Sequence, residues 1–197
     1  MNKAPQIKIK SRFNFFPVTK ENWKDFEKLF GEKGACAGCW CMSWLLTKKD
    51  FDANKGAGNK KKMKKLVDNN TKPGILAYFN DVPVGWCAVA PRENYIRMEN
   101  SRVLQRIDDK PVWSVVCFFT HKDYRRQGLS VELLNAVKEF VKMNKGKIIE
   151  GYPVEPSSGK IVDVFAWTGL APAFRKAGFK EIIRRSDTRP IMRFTIK

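Results

Sequence analysis

The sequence has no apolar run long enough to cross a membrane, so no membrane association is expected. Its first twelve residues, MNKAPQIKIKSR, lack the apolar core of a secretory leader, and secretion is not expected either. Five cysteines without such a leader indicate reduced thiols and a cytoplasmic location.

Acidic residues are scarce: 20 Asp and Glu stand against 38 Lys and Arg, a formal net charge of +18. Such an excess indicates either an anionic partner or a general lysine bias on a solvated surface. The lysines are spread along the chain, and the densest run, Lys60–Lys65, lies on a predicted helix. Met63, Leu66 and Val67 give this helix an apolar stripe, which makes the lysines its solvated face. No aromatic and basic RNA-binding motif accompanies the charge, so nucleic-acid binding is disfavoured as the main role.

Histidine is nearly absent, which limits the metal sites that the chain can build. A Cys-x-x-Cys-Trp-Cys motif opens the segment Cys36–Trp44, and its cysteines are Cys36, Cys39 and Cys41. They have the chemistry for zinc binding or thiol redox reactions, but zinc needs a fourth ligand. His121, Cys87 or Cys117 would have to be supplied by the fold. The interleaved tryptophans and methionine favour a loop that packs against a pocket, and no metal site is predicted.

The strongest pattern is a strand, a basic turn and a helix between Val112 and Lys145. Val112–Thr120 is almost entirely apolar, as in a strand covered on both faces. The turn Arg125–Ser130 contains two arginines and Gly128, and the helix after it carries leucines and valines at helical spacing. A turn of this kind directs backbone N–H groups and a helix N-terminus at one point, which suits an anion such as a pyrophosphate. Gly128 permits close approach of the backbone, and Ser130 offers a hydroxyl group.

The rest of the chain predicts one domain, with residues 1–12 as a loose N-terminal arm and residues 13–197 as the folded part. No repeat and no second domain is evident. The polar segment Asp50–Lys60 is expected to be mobile. The other predicted elements are strands at Phe13–Val18, Ile75–Phe79, Val84–Ala90, Ile148–Val154, Lys180–Arg184 and Pro190–Lys197, and helices at Glu21–Glu32, Lys60–Asn69 and Thr168–Lys176.

The turn resembles the acyl-CoA-binding signature of the GNAT N-acetyltransferase superfamily, in which Gln or Arg is followed by x-x-Gly-x and Gly or Ala. Arg125, Gly128 and Ser130 fill the fixed positions, with serine as a small substitute in the last. Ala173–Phe179 resembles the late helix of the family, and the element order is similar over about Phe13 to Ile196. Several other segments resemble one branch of the family that carries the Cys-x-x-Cys-Trp-Cys loop.

This resemblance implies an α/β fold with a single GNAT-like domain. Its mixed, mostly antiparallel sheet would be splayed at the central parallel pair, Val112–Thr120 and Ile148–Val154, and flanked by helices. The pantetheine arm of acetyl-CoA would pair with free backbone groups in this opening. The pyrophosphate would lie on the turn, where two arginines can pair with phosphates. The implied cofactor-binding residues are Cys117, Phe118, Phe119, Arg125, Arg126, Gln127, Gly128, Leu129 and Ser130.

The implied reaction is direct transfer of an acetyl group from acetyl-CoA to a primary amine of a small molecule or peptide. The tyrosine that protonates the leaving thiolate in many members is replaced by Phe174, and a carboxylate position by Ser114. Glu150 as base and Tyr152 as acid are the expected substitutes, because they share a face of the second splayed strand. The segment Cys36–Trp44, the first helix and Tyr152 are expected to wall the acceptor pocket.

Three alternatives stay open. The missing tyrosine is compatible with an acyl-CoA sensor without turnover, and Cys117 has the chemistry of an acyl-carrying nucleophile. The charge is the only feature in favour of a nucleic-acid-binding protein. The sequence leaves room for a homodimer.

Overall fold

The computed structural model describes residues 5–156 and 166–197, which form one α/β domain around a seven-stranded sheet. The strands are β1 Asn14–Pro17, β2 Gly74–Phe79, β3 Val82–Pro91, β4 Trp113–Thr120, β5 Ile148–Gly151, β6 Lys180–Arg184 and β7 Pro190–Thr195. The helices are α1 Trp23–Phe30, α2 Lys48–Ala53, α3 Ala57–Asp68, α4 Ile96–Glu99, α5 Leu129–Met143 and α6 Ala171–Lys176. Short 3-10 turns lie at Lys20–Asn22, Arg92–Asn94 and Lys122–Tyr124. None of the helices in the described ranges is long and apolar enough to span a membrane.

The sheet is mixed, with the order β1-β2-β3-β4-β5-β7-β6. Every neighbouring pair is antiparallel except β4 and β5, which are parallel and joined through α5. The predicted fold class, a mostly antiparallel sheet with one central parallel pair, is therefore confirmed. The β2–β3 hairpin turns at Asn80 and Asp81, which both have a positive φ, as a two-residue hairpin of this kind requires.

The parallel pair separates after three residue pairs, so β4 and β5 form a wedge. Ser114 lies opposite Glu150 and Val115 opposite Gly151, after which β4 continues to Thr120 without β5. At the same place β4 carries a bulge, because Ala88 and Val89 of β3 lie opposite Cys117 and Val115, leaving Val116 extra. We call the space between Val116–Thr120 and the chain after β5 the wedge.

Two apolar cores cover the two faces of the sheet. On one face, the buried stripe of α5 packs with α6, and Leu129 approaches β3 so closely that a Cβ on Gly85 would lie 2.8 Å from it. On the other face, α1 and the segment after it pack aromatic rings against Trp86. Phe26 and Phe30 of α1 lie 4.9 and 6.0 Å from the Trp86 ring, centroid to centroid. Burial of these large rings holds the segment Cys36–Trp44 over the sheet.

Some local expectations differ from the structure. The segment predicted to be mobile contains part of α2, a helix that Thr47 caps by accepting a hydrogen bond from the N–H of Asp50. The late helix begins at Ala171 rather than Thr168, since Pro172 is placed in its first turn. Residue Ile7 of the predicted arm is 1% exposed and pairs with Phe15. The boundary of the arm at residue 12 stays a prediction, and residues 1–4 lie outside the described residues.

Candidate active site

On the edge of β4 that faces the wedge, one backbone N–H group has a hydrogen-bond acceptor. The N–H of Phe118 donates to the carbonyl oxygen of Trp167 at 2.6 Å. Cys117 and Phe119 lie on either side of it along β4, and neighbouring residues of a strand direct their backbone groups to opposite edges. Of the three predicted residues, Phe118 therefore faces the wedge, while the backbone groups of Cys117 and Phe119 face β3. The expectation of a free backbone donor at Phe118 is wrong, because Trp167 already occupies it.

Phe174 fills the inner end of the wedge. It is fully buried, and its ring meets that of Phe118 edge-on at 5.9 Å between centroids. A Cβ on Gly151 would lie 2.0 Å from the same ring, so the close approach of Phe174 to β5 requires glycine there. Phe174, which by the family resemblance replaces a tyrosine, thus occupies an apolar packing position.

The basic loop, Arg125–Ser130, ends in the N-terminus of α5. Arg126 and Gly128 both have positive φ, 58° and 82°, which turns the chain sharply into the helix. Within the described residues, no backbone carbonyl accepts from the N–H groups of Gln127 to Ser130. The first N–H groups of a helix have no acceptor inside it, and they attract anions. Anion binding by this loop stays a prediction.

Side chains brace the basic loop from two sides. Gln127 donates to the carbonyl oxygen of Asp123 at 2.7 Å and accepts from Arg12 at 2.7 Å. The guanidinium of Arg12 lies 4.8 Å from the centre of the Phe13 ring. Sequence reasoning missed Arg12, which lies 115 residues before its partner and in the predicted arm. The side chains of Arg125 and Arg126 are exposed beside this brace.

The two predicted catalytic residues lie in a buried polar network below the bulge. The hydroxyl of Tyr152 donates to Oε1 of Glu150 at 2.6 Å and lies 2.8 Å from Oγ of Ser114. Arg92 donates to the same hydroxyl oxygen at 2.8 Å. Tyr152, Glu150 and Arg92 are each 1% exposed, and Ser114 is fully buried. The predicted strand Ile148–Val154 ends at Gly151, so Tyr152 lies just beyond β5. Its hydroxyl still meets Glu150, and the structure shows that Ser114 is their partner.

A second arginine completes the network. Arg193 of β7 donates to Oε2 of Glu150 at 2.6 Å and holds Asp108 with two hydrogen bonds of 2.7 and 3.0 Å. These bonds lower the pKa of Asp108. Burial raises the pKa of Tyr152, and the charge of Glu150 raises it further, so the hydroxyl stays protonated at neutral pH. Sequence reasoning missed Arg92, Arg193 and Asp108. In the sequence of β7 Arg193 alternates with the apolar residues Met192 and Phe194, but in the structure its pairing with Glu150 leaves the Arg193 side chain only 11% exposed.

The cysteine segment reaches the cofactor strand through Cys41. The Sγ atoms of Cys41 and Cys117 lie 3.1 Å apart, and the indole N–H of Trp86 donates to Cys41 Sγ at 3.0 Å. Trp40 and Cys41 both have positive φ, 46° and 55°. Burial raises the pKa of Cys41, as does its hydrogen bond to Cys117. Packing against the sheet overrides the backbone preference at these two residues.

All five cysteines are free thiols, and they do not share one site. Cys36 is exposed, and burial raises the pKa of Cys39 to about 11. Among the described residues, no three His, Cys, Asp or Glu side chains lie close enough together to hold a metal ion.

A cavity of about 460 Å³ opens beside Cys41 on this face of the sheet. Its buried lining residues are Cys41, Met42, Met63, Pro73, Ala88, Ala90 and Tyr95. The predicted cysteine segment is one of its walls, but α3 takes the place expected for the first helix, and Tyr152 does not line it. Because Ala88 is the cross-strand neighbour of Cys117, the cavity lies next to the bulge of β4.

The profile of the acetyltransferase (GNAT) family matches residues 26–150, which include the wedge strand, the basic loop and α5. The chain belongs to the GNAT family. None of the curated proteins matches it in sequence. The branch with the Cys-x-x-Cys-Trp-Cys loop stays a prediction.

Solved GNAT structures share the fold of this domain. A GNAT acetyltransferase of Streptococcus agalactiae is 11% identical with a TM-score of 0.55, covering 94% of this chain and 96% of its own. The PaiA N-acetyltransferase of Thermoplasma acidophilum, in complex with coenzyme A, is 12% identical with a TM-score of 0.51, covering 93% and 99%. The ribosomal-protein-S5-alanine acetyltransferase of Vibrio fischeri is 9% identical with a TM-score of 0.55, covering 98% and 97%. At these identities the likeness is one of fold.

Proposed function

We propose that this GNAT domain is an N-acetyltransferase that transfers an acetyl group from acetyl-CoA to a primary amine. The observation that carries the proposal is a β4 edge that separates from β5 at a bulge, together with a loop whose N–H groups have no backbone acceptor among the described residues. A pyrophosphate is the kind of anion that such a loop binds. The coenzyme A complex of the Thermoplasma structure supports the same donor. The cytoplasmic location stays a prediction.

The wedge supports binding of the pantetheine arm by β-strand pairing. The N–H of Phe118 already donates to a carbonyl oxygen on this side, that of Trp167. The amide carbonyls of a pantetheine arm are the same kind of partner, and the arm would replace Trp167 there. Acetyl-CoA supplies the thioester. The backbone at the Val116 bulge is the proposed donor to the oxygen on which negative charge develops.

Proton transfer is assigned to Glu150 and Tyr152 in this proposal. The amine loses a proton to become nucleophilic, and the departing thiolate gains one. The 2.6 Å contact between Tyr152 and Glu150 supports a coupled transfer. Glu150 takes the proton of the amine, Tyr152 gives its own to the thiolate, and Glu150 then returns a proton to Tyr152, whose raised pKa favours the protonated hydroxyl. Both groups are closed off by Arg92 and Arg193, so the assignment requires the reacting atoms to approach the network from the bulge.

A sensor that binds acyl-CoA without turnover is the second candidate, and the packing of Phe174 favours it. Phe174 has no proton to donate and is fully buried. Tight acetyl-CoA binding without release of free thiol, across amines, amino acids, polyamines, aminoglycosides and peptides, would identify the sensor. Thiol release with any amine would identify the transferase.

The Gly128→Ala variant tests the loop. Gly128 has φ +82° with open space around it, so the added methyl strains the backbone without a local clash. We expect acetyl-CoA binding to weaken at least tenfold by calorimetry, because the N–H groups lose their common direction, and stability to fall by about 1 kcal/mol.

The matched control is Gly178→Ala after α6, where φ is +80° and the new methyl meets only Phe194 at 3.6 Å. It imposes a similar strain away from the basic loop, so stability falls and acetyl-CoA binding is kept. Equal acetyl-CoA affinity of the Gly128→Ala variant and the native protein would contradict the proposed cofactor site.

A further inference from the structure

We propose that the cavity beside Cys41 binds the acceptor, and that the acceptor carries its amine on an apolar body with an anionic group at the other end. This inference rests on the proposed transferase function. It assigns a chemical class of acceptor, which the family fold alone leaves open.

The inner end of the cavity lies next to the proposed point of transfer. Ala88 lines the cavity and is the cross-strand neighbour of Cys117, which follows the bulge. Cys41 lines it too, and its sulfur is 3.1 Å from that of Cys117. Cys117 of β4 therefore lies between the wedge and the inner end of a ligand that fills the cavity.

The walls select an apolar body and a neutral amine. Met63, Ala88, Ala90 and Tyr95 are at most 4% exposed, and none of the described residues that line the cavity is acidic. An ammonium group would lose its hydration there without gaining a counter-charge, so the amine binds in the uncharged form that attacks a thioester. A polycation gains nothing from such a site.

Two lysines at the outer end of the cavity supply the complementary charge for an anion. Lys62 and Lys65 lie three residues apart on α3, hence on one face, and both line the cavity. Lys61 directly precedes Lys62 in sequence, is exposed and does not line the cavity. A carboxylate or phosphate at the outer end of the ligand would pair with this face.

Tyr95 offers the ligand a polar contact in the wall of the cavity. Its side chain is 2% exposed and lines the cavity. A phenol hydroxyl can both donate and accept a hydrogen bond, so it suits a polar atom of the ligand.

The test uses three probes that share an amine and a six-carbon chain: 6-aminohexanoate, hexylamine and 1,6-diaminohexane. Binding to the full chain is measured by calorimetry at pH 9, with and without coenzyme A. We expect 6-aminohexanoate to bind about tenfold more tightly than hexylamine, and the diamine to bind most weakly. For hexylamine, affinity rises with pH as its ammonium form deprotonates.

Three variants separate charge from shape. Replacing both cavity lysines, Lys62→Ala with Lys65→Ala, should weaken 6-aminohexanoate about tenfold and leave hexylamine unchanged. Lys61→Ala is the matched control and should change neither. Ala90→Leu fills the cavity and should abolish binding of all probes. If thermal melting shows that the Ala90→Leu variant does not fold, Leu66→Trp takes its place. Leu66 is a half-buried residue of α3 that also lines the cavity, so the larger ring fills the same space.

The inference is overturned if no probe binds, if the diamine binds best, or if the lysine variant binds 6-aminohexanoate as tightly as the native protein does. Retained acetyl-CoA binding in those cases leaves the proposed transferase function standing. If the native protein does not bind acetyl-CoA, the proposed function itself is contradicted, whichever probes bind in the cavity.

Discussion

At the scale of single residues, the buried network has balanced charges. The carboxylates of Glu150 and Asp108 face the guanidinium groups of Arg92 and Arg193. Arg92 also donates to the carbonyl oxygen of Leu104 at 2.6 Å. Removing one member would leave a buried charge or donor without its partner, which is costly in a site closed to water. The network therefore stabilises the fold whether or not it also moves protons.

The Tyr152→Phe variant separates these two roles. It removes one hydroxyl that bonds Glu150, Ser114 and Arg92, and we expect the free energy of unfolding to fall by about 1–3 kcal/mol in urea titrations. As the proposed acid, Tyr152 also contributes to the rate, so kcat should fall at least about 100-fold while acetyl-CoA affinity is kept.

The control for this variant is Tyr124→Phe, which alters a half-buried tyrosine between His121 and Phe79 and outside the network. Its kcat should equal that of the native protein. A Tyr152→Phe variant that is less stable but keeps its kcat would show that the tyrosine is structural, and the assignment of Tyr152 as acid would be wrong.

At the scale of secondary-structure elements, the chain beyond β5 is fastened by an ion-pair cluster. Glu155 accepts from Arg175 of α6 and Arg184 of β6, and Glu181 accepts from Arg184 at 2.8 Å. These contacts join the segment after β5 to the last helix and to an edge strand. The hydrogen bonds from Arg175 and then Arg184 lower the pKa of Glu155 to about 2.

The acid stability of this cluster can be tested with Glu155→Gln. A carboxyl whose pKa is about 2 in the folded state and 4.5 in the unfolded state stabilises the fold above pH 4.5. The contribution is lost as the pH falls from 4.5 towards 2. We expect the native protein to have a higher melting temperature than the variant at pH 6, with the difference closing between pH 4.5 and 2.

Glu32→Gln, an exposed glutamate in the segment after α1, serves as the control and should match the native protein throughout this range. A melting difference between native protein and Glu155→Gln that stays constant from pH 6 to pH 2 would contradict the linkage.

Element patterns in the sequence predicted the wedge strand, the basic loop and α5 because their signals are local. Apolar runs, helical spacing and a glycine at a turn act within a few residues. The sequence could not show that Arg193 turns to Glu150, or that Trp167 takes the N–H of Phe118, because these contacts depend on how distant segments pack. The cavity was only partly predicted for the same reason: its cysteine wall carried an unusual composition, whereas α3 looked like an ordinary solvated helix.

At the scale of the whole molecule, the net charge of +18 attracts polyanions in general, and acetyl-CoA carries phosphates. The alternatives of nucleic-acid binding and of cofactor binding predict different salt behaviour. A nucleic-acid site spans many phosphates and loses affinity steeply with salt, whereas a loop that holds one cofactor is less sensitive. The homodimer for which the sequence leaves room bears on neither alternative.

We expect acetyl-CoA affinity to fall about tenfold between 50 and 500 mM NaCl, because the proposed site puts its phosphates at exposed arginines of the basic loop, where salt screens them. Acetyl-pantetheine, which lacks the nucleotide and the pyrophosphate, pairs only with the wedge, so its weaker affinity should be unchanged over the same range. Calorimetry at each salt concentration measures both ligands on the same preparation.

A duplex DNA added at low salt should bind through the dispersed lysines without displacing acetyl-CoA, since α3 and the basic loop are separate surfaces. DNA that competes with acetyl-CoA, or an acetyl-CoA affinity that ignores salt, would contradict a phosphate site at Arg125–Ser130.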